Sequence, residues 1–372
     1  MPWRVVGRII LWGIGFVSLS ATGFAIYLLM PISTPQFLDP QGHALPHSIA
    51  VVERWTINDI PQSVIIRGRD LSNPVLIWVH GGPGSSETPV VRHFNAPLED
   101  HFVMVYWDQR CAGHSLNLFG PRPKSVKIDD YVADLGVLIT GLQNRLHCGK
   151  VILVAHSWGT VPGILYTERH PENVVAYVGI GQEADTPESE ARSYAWVLSQ
   201  ALARGDSNAV ARLALIGPPP RKNGDDWTPR DLLQKYGGQF HADLSVPKLA
   251  LISATASEVN WRDAAALLFA KDYNQVIENA ESRVILDKDH LRFREPIFFV
   301  SGRFDHTVDA ELASSYLDRI SAPEKAFIWF EDAAHNPPFE EPGRFNELMI
   351  EKVLPLARKV DRSAPIGAAS MN

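Results

Sequence analysis

At 372 residues the chain is long enough for two ordinary domains, or for one large domain carrying an insertion. Hydrophobic residues make up 45% and charged residues 21%, a balance that buries a core, and a net charge of -7 leaves no basic face for nucleic acid or for adsorption to an anionic membrane. Two cysteines, Cys111 and Cys148, exclude a disulfide framework and a Cys-rich zinc site; they fall at opposite edges of the expected sheet and read as free thiols.

The first element is apolar. Ile9 through Met30 contains no charged residue, and its 22 residues at ~1.5 Å each span a hydrocarbon core of roughly 30 Å. Arg4 and Arg8 precede it, and no further Lys or Arg follows until Arg54. The expectation is a single-pass anchor over residues 1–31, with a cytoplasmic N-terminus and an extracytoplasmic body. A cleavable signal peptide is the competing reading, but the segment is long for one and ends in Tyr-Leu-Leu-Met-Pro, without small residues at a cleavage position. Residues 32–47, with Pro35, Pro40 and Pro46, read as a linker to the folded body.

Next come β-rich runs at Ser48–Trp55 and Ser63–Arg67, and then almost wholly apolar runs at Pro74–His80, Phe102–Trp107, Val151–Ala155, Val174–Ile180, Ile297–Val300 and Ala326–Phe330. Such runs suit strands buried on both faces of a mostly parallel sheet. Apolar residues at 3–4 spacing predict a helix over Ile128–Leu146, and Trp158–His170, Ala310–Ile320 and Pro342–Lys359 are further helices. The alternation predicts a doubly wound α/β core over residues 48–182 and 295–360. Between these halves, residues 183–294 lack a buried strand and read as a helical cap, with helices over Ser189–Arg204, Asn208–Leu215 and Trp261–Glu281. Residues 361–372 read as a disordered tail.

Two motifs carry chemistry. Val151–Ala155 leads into His156-Ser157-Trp158-Gly159 and then a helix, like a G-x-S-x-G nucleophile elbow with Ala155 in place of the first glycine. Such an elbow lifts the Ser157 hydroxyl above the sheet edge and aims a helix N-terminus at it. His80-Gly81-Gly82-Pro83-Gly84 follows a buried strand, where a glycine turn lets main-chain N–H groups approach a substrate carbonyl; Gly82 and Trp158 are the expected oxyanion donors. Read without that context, S-x-G is a chance tripeptide and the glycines an ordinary turn. No G-K-[ST], Rossmann glycine pattern or H-E-x-x-H occurs, so no nucleotide cofactor or metal is expected.

HGGPG, then Asp108-Gln109-Arg110 after the next strand, then Ser-Trp-Gly resembles the proline iminopeptidase (prolyl aminopeptidase) branch of the α/β-hydrolase superfamily over about residues 48–358. The resemblance implies a serine hydrolase acting through an acyl-enzyme, in the chain order Ser, Asp, His. Gly302-Arg303-Phe304-Asp305 resembles the family's acid motif, and His335 matches its catalytic histidine. Asp108 and Arg110 read as a structural ion pair or hydrogen-bond anchor. Cys111 stands where the family usually has Gly. The substrate implied is a small peptide losing its N-terminal residue, with Glu183, Glu188 or Glu190 as candidates to hold the ammonium group; Glu188 and Glu190 also read as solvated first-turn helix residues. An esterase or amidase on a small acyl substrate keeps the same residues, and a membrane-tethered binding protein without activity is the non-enzymatic alternative.

Overall fold

Strand after strand alternates between two buried layers, and that alternation builds the molecule. The computed structural model describes residues 22, 32–116, 126–221, 227–241, 243–260 and 277–363, with side chains to residue 359. Its eight-stranded sheet runs β1 (Ile49–Ile57), β2 (Ile60–Gly68), β3 (Val75–Val79), β4 (Val103–Trp107), β5 (Val151–His156), β6 (Val174–Ile180), β7 (Ile297–Gly302) and β8 (Lys325–Phe330) in chain order. In space the order is β1-β2-β4-β3-β5-β6-β7-β8. The first two strands form an antiparallel hairpin joined antiparallel to β4, and every later pairing is parallel. The hairpin turns at Asn58 and Asp59, both left-handed, a conformation these two residue types tolerate.

Along β3 to β7, odd and even residues serve opposite faces. Ile77, Val105, Leu153, Tyr177 and Phe299 join one core, covered by α2 (Ile128–Leu146), α3 (Thr160–Arg169) and α8 (Ala310–Arg319). Trp78, Tyr106, Val154, Val178 and Phe298 join the other, covered by α1 (Thr88–Asn95), α10 (Pro342–Leu348) and α11 (Leu354–Ser363), after the short α9 (Pro337–Glu340). Burying both faces accounts for the near-continuous apolar runs.

The last helical segment is not continuous. A π-helical turn, Met349–Val353, separates α10 from α11. Pro355 explains it: a proline here lacks an N–H and its ring crowds the carbonyl four residues back, which a widened turn accommodates.

The chain between β6 and β7 forms α4 (Thr186–Ala203), α5 (Ser207–Ile216), α6 (Arg230–Tyr236) and α7 (Val246–Thr255). Helices α4 to α6 share a small core of their own around Val197, Leu213 and Leu233. The expected helix over Trp261–Glu281 falls mostly outside the described residues; its end, 277–281, is helical. The expected anchor also lies outside them, apart from residue 22, and no helix among the described residues is long and apolar enough to cross a membrane. Residues 33–37 are held against the body: the Ser33 N–H donates to the Ser257 carbonyl at 3.0 Å, and the buried Arg67 guanidinium lies 4.7 Å from the Phe37 ring.

Candidate functional site

Parallel strands send all their following loops to one sheet edge, and the candidate residues meet there. Ser157 follows β5 in the left-handed conformation, φ +52°, strain that an elbow imposes on a non-glycine residue. Two glycines make room for it. A Cβ on Gly159 would sit 2.3 Å from the Val79 carbonyl oxygen, and one on Gly163 only 3.0 Å from the Ala155 methyl. The smallness of Gly163 therefore accommodates alanine where the usual elbow has glycine. Pro162 lies in the first turn of α3, where a missing N–H costs no helix bond.

The structure brings Ser157, His335 and Asp305 into one hydrogen-bonded chain. His335 Nε2 lies 2.9 Å from Ser157 Oγ, and His335 Nδ1 lies 2.9 Å from Asp305 Oδ2. The other oxygen of Asp305 accepts the N–H groups of Thr307 at 2.9 Å and Val308 at 3.0 Å, fixing the carboxylate. With Nδ1–H donated to Asp305, Nε2 is the free lone pair and can take the serine proton. Gly181, φ +55°, leaves the space for this ring: a Cβ there would meet His335 Cε1 at 2.8 Å.

The motifs are wired to one another. His80 Nε2 accepts the Gln109 N–H at 3.1 Å, so its Nδ1 donates to the Gly81 carbonyl at 2.8 Å. The Gln109 side chain donates to the His80 carbonyl at 2.7 Å and accepts from Trp158 Nε1 at 3.1 Å. Asp108 and Arg110 do not pair with each other. Asp108 accepts the His114 N–H at 2.9 Å, while Arg110 grips the fully buried Asp134 of α2 through two bonds of 2.6 Å. Cys111 has φ +65°, a backbone that favours glycine, and burial pushes its thiol up to about 11. Both cysteines are free thiols.

Sequence reasoning missed Glu87 and Glu340, neither of which stands in a recognisable motif. Glu87 Oε1 accepts the Gly81 N–H at 3.0 Å and lies 2.8 Å from His156 Nδ1; its Oε2 accepts from Trp78 Nε1 at 2.9 Å. Burial opposes charge on both partners, but their mutual attraction wins: the Glu87 carboxyl is lowered and the His156 imidazole raised. Glu340 Oε1 accepts the N–H groups of Ala334 and Asn336, on either side of His335, at 3.1 and 2.9 Å.

Gly82, Ser157, Glu183 and His335 line a single cavity of about 1780 Å³. Trp158 is buried behind Ser157, packed edge-on against Tyr131. Glu183 is buried and accepts from Thr186 Oγ1 at 2.9 Å; burial, tempered by that bond and reinforced by Glu190, pushes its carboxyl up to about 7. Glu281 lies on the same cavity, its carboxyl driven well above the usual range by burial and the charge of Glu183. Glu188 is exposed, as a first-turn residue should be, but Glu190 is not: it is buried and paired with Arg230 at 2.9 Å. That cation arrives from forty residues downstream. Among the described residues no group of three or more His, Cys, Asp or Glu is placed to hold a metal ion.

The sequence model of the alpha/beta hydrolase fold family matches residues 74–342. The chain is 28% identical over 315 residues to the "Probable aminopeptidase YbaC" of Bacillus subtilis (strain 168), covering 80% of this chain and 94% of that protein. It is 35% identical over 103 residues to the proline iminopeptidase of Neisseria meningitidis serogroup A, a stretch covering 28% of this chain and 31% of that one. Among solved structures, a proline iminopeptidase-related protein from Thermus thermophilus superposes with a TM-score of 0.60 at 20% identity, over 83% of this chain and 99% of that one. At that identity the likeness is one of fold.

Proposed function

Because the chain belongs to the α/β-hydrolase fold family, with relatives in the proline iminopeptidase-like branch, and is a hydrolase, we propose that it is a serine aminopeptidase of that type, with Ser157 as nucleophile, His335 as general base and acid, and Asp305 as the orienting carboxylate. The observation that carries this reading is the continuous relay from Asp305 through His335 to Ser157 at 2.9 Å per step, facing a cavity that also holds buried carboxyls.

Ser157 Oγ attacks the scissile carbonyl as His335 Nε2 takes its proton. The carbonyl oxygen becomes an oxyanion, which the N–H groups of Gly82 and Trp158 receive. His335 then gives the proton to the leaving amine, and water repeats the sequence on the acyl-enzyme. Glu183, with Glu281 beside it, holds the substrate's ammonium group. A cation there relieves the cost of two neighbouring buried carboxyls, which supports this assignment. A free N-terminus is thereby selected over a blocked one.

The test compares wild type with Ser157→Ala, using a fluorophosphonate probe and then aminoacyl arylamides with free or acetylated amines. The proposal expects labelling and turnover that vanish in Ser157→Ala, and a preference of about tenfold or more for the free amine. Equal turnover of acetylated substrates would favour the esterase or amidase reading. Failure of the wild type to label or turn over anything would overturn the serine mechanism.

We also propose that residues 9–30 anchor the body to a membrane, with the N-terminus cytoplasmic and the catalytic body outside. The uncharged stretch supports this. Recovery of the full-length chain in the soluble fraction, unprocessed, would refute it.

A further inference from the structure

The cavity is larger than an N-terminal residue and its amide require, and one wall of it has a different chemistry. About 1780 Å³ stands against roughly 300–1,000 Å³ for ordinary small-ligand pockets. Helix α7 contributes positions 246, 249, 250, 253 and 254 to the lining, the i, i+3, i+4, i+7, i+8 set of one helical face. Four of those five are apolar. No residue of α7 is fully buried: Leu249 packs partly against the core, and the rest of this face is left to border the cavity. Val90 of α1, Phe240 and Phe339 extend the apolar lining, packed with Leu249 into one cluster.

The position of this wall relative to His335 decides which half of a substrate it meets. Phe339 packs edge-on against His156 at 5.8 Å, and the His156 ring lies 5.1 Å from that of His335. The residue before Phe240, Gln239, accepts the His335 main-chain N–H at 3.2 Å. Phe240 and Phe339 therefore carry the apolar wall to the neighbourhood of His335, the group that would protonate the leaving group, while on the reading above Glu183 and Glu281 hold the amine of the acyl half.

We infer that the substrate is an amphiphile: an aminoacyl group with a free amine, joined through its scissile carbonyl to an apolar leaving group of several methylenes. This rests on the serine aminopeptidase reading above. The bond broken is the carbonyl carbon's ester or amide bond; the serine proton passes through His335 to the departing alkyl alcohol or alkylamine. Water then supplies the hydroxyl that releases the free amino acid and the proton that returns to Ser157.

The experiment measures kcat/KM of the full-length chain on L-alanyl esters of straight-chain alcohols with two, four, six and eight carbons, each below its aggregation concentration. Each methylene buried along the wall raises kcat/KM by about two- to fourfold, so the eight-carbon ester exceeds the two-carbon ester by about 50-fold or more. In Leu249→Gln and Ala250→Glu the ratio between the two esters, read within each variant, falls to about fivefold or less. Using a ratio removes any effect of a smaller folded fraction. A flat chain-length series in an enzyme that still cleaves the two-carbon ester, dependent on Ser157, overturns the amphiphile inference and leaves the hydrolase reading intact. Ratios unchanged in both variants overturn the assignment of α7. Absence of Ser157-dependent turnover on every ester and on the arylamides overturns the underlying reading and the inference with it.

Discussion

The ring nitrogen Nε2 of His156 lies 3.1 Å from the main-chain carbonyl of His335, so the residue preceding Ser157 helps hold the residue whose ring faces Ser157. A carbonyl only accepts, so Nε2 carries a proton, and Nδ1 faces the Glu87 carboxylate at 2.8 Å. His156 is thus an imidazolium donating at both ends. Glu87 in turn grips the Gly81 N–H of the HGGPG loop. One ion pair braces the loop, the turn at Ser157 and the His335 backbone.

Glu87→Gln should lower kcat by about tenfold or more while changing KM little, because the brace fixes reacting groups and does not bind substrate. Glu87→Ala should also destabilise the fold by about 1–3 kcal/mol, since it leaves the Gly81 and Trp78 N–H groups without their acceptor while His156 reverts to the neutral ring. Steady-state kinetics and thermal melting separate the two effects. A kcat unchanged in Glu87→Gln would dismiss the brace.

Gly181→Ala should be disproportionately harmful. Its φ of +55° disfavours any Cβ, and that Cβ would fall 2.8 Å from His335 Cε1. A stability loss of about 1–2 kcal/mol is expected from the backbone, along with at least about a tenfold fall in kcat as the imidazole is displaced from Ser157. Calorimetry with turnover on an arylamide checks both, and wild-type kcat would argue that the ring has room elsewhere.

The Glu183 carboxyl, pushed up to about 7, gives substrate binding a pH dependence of known sign. Its neutral form dominates below 7 and attracts an ammonium poorly. KM for free-amine substrates should therefore fall as pH rises from about 6 to about 7.5. It should rise again as the substrate's own amine, with a pKa of roughly 7.7–8.0, loses its proton. In Glu183→Gln the acid-side improvement should disappear. A KM–pH profile with the same slope in wild type and variant would remove Glu183 from ammonium binding.

Cys111 should be inert. With its thiol at about 11, only about one molecule in a thousand carries a thiolate at pH 8, and the thiolate is the nucleophile. Iodoacetamide at pH 8 should modify this residue at least about tenfold more slowly than in the urea-unfolded chain, followed by peptide mass spectrometry. Rapid native labelling at Cys111 would contradict the burial assigned to it.

The strands were legible because burial on both faces turns them into unbroken apolar runs, and β3, β5 and β6 fall within a residue or two of where Pro74–His80, Val151–Ala155 and Val174–Ile180 point. Ser157, Asp305 and His335 were legible for a related reason: each follows a parallel strand, and parallel strands deliver their loops to one edge. Helix α1 was not, since eight residues opening Thr-Pro-Val-Val give too short a period to recognise. Helix α7 lacks a polar stripe that would announce it. Glu190 was misread because its local signal, an acid in a first turn, is ordinary, and its partner Arg230 is distant in sequence. Glu87 and Glu340 act by accepting main-chain N–H groups, and nothing in a sequence marks which carboxylate will do that.

The run of hydrogen bonds from His80 through Gln109 to Trp158 has a consequence for descent. Changing Gln109 to an apolar residue would strip the buried Trp158 N–H of its acceptor and the His80 carbonyl of a donor at once. A lineage that loses one of these residues is then pressed to replace the others, so HGGPG, DQR and SWG should be inherited or abandoned together.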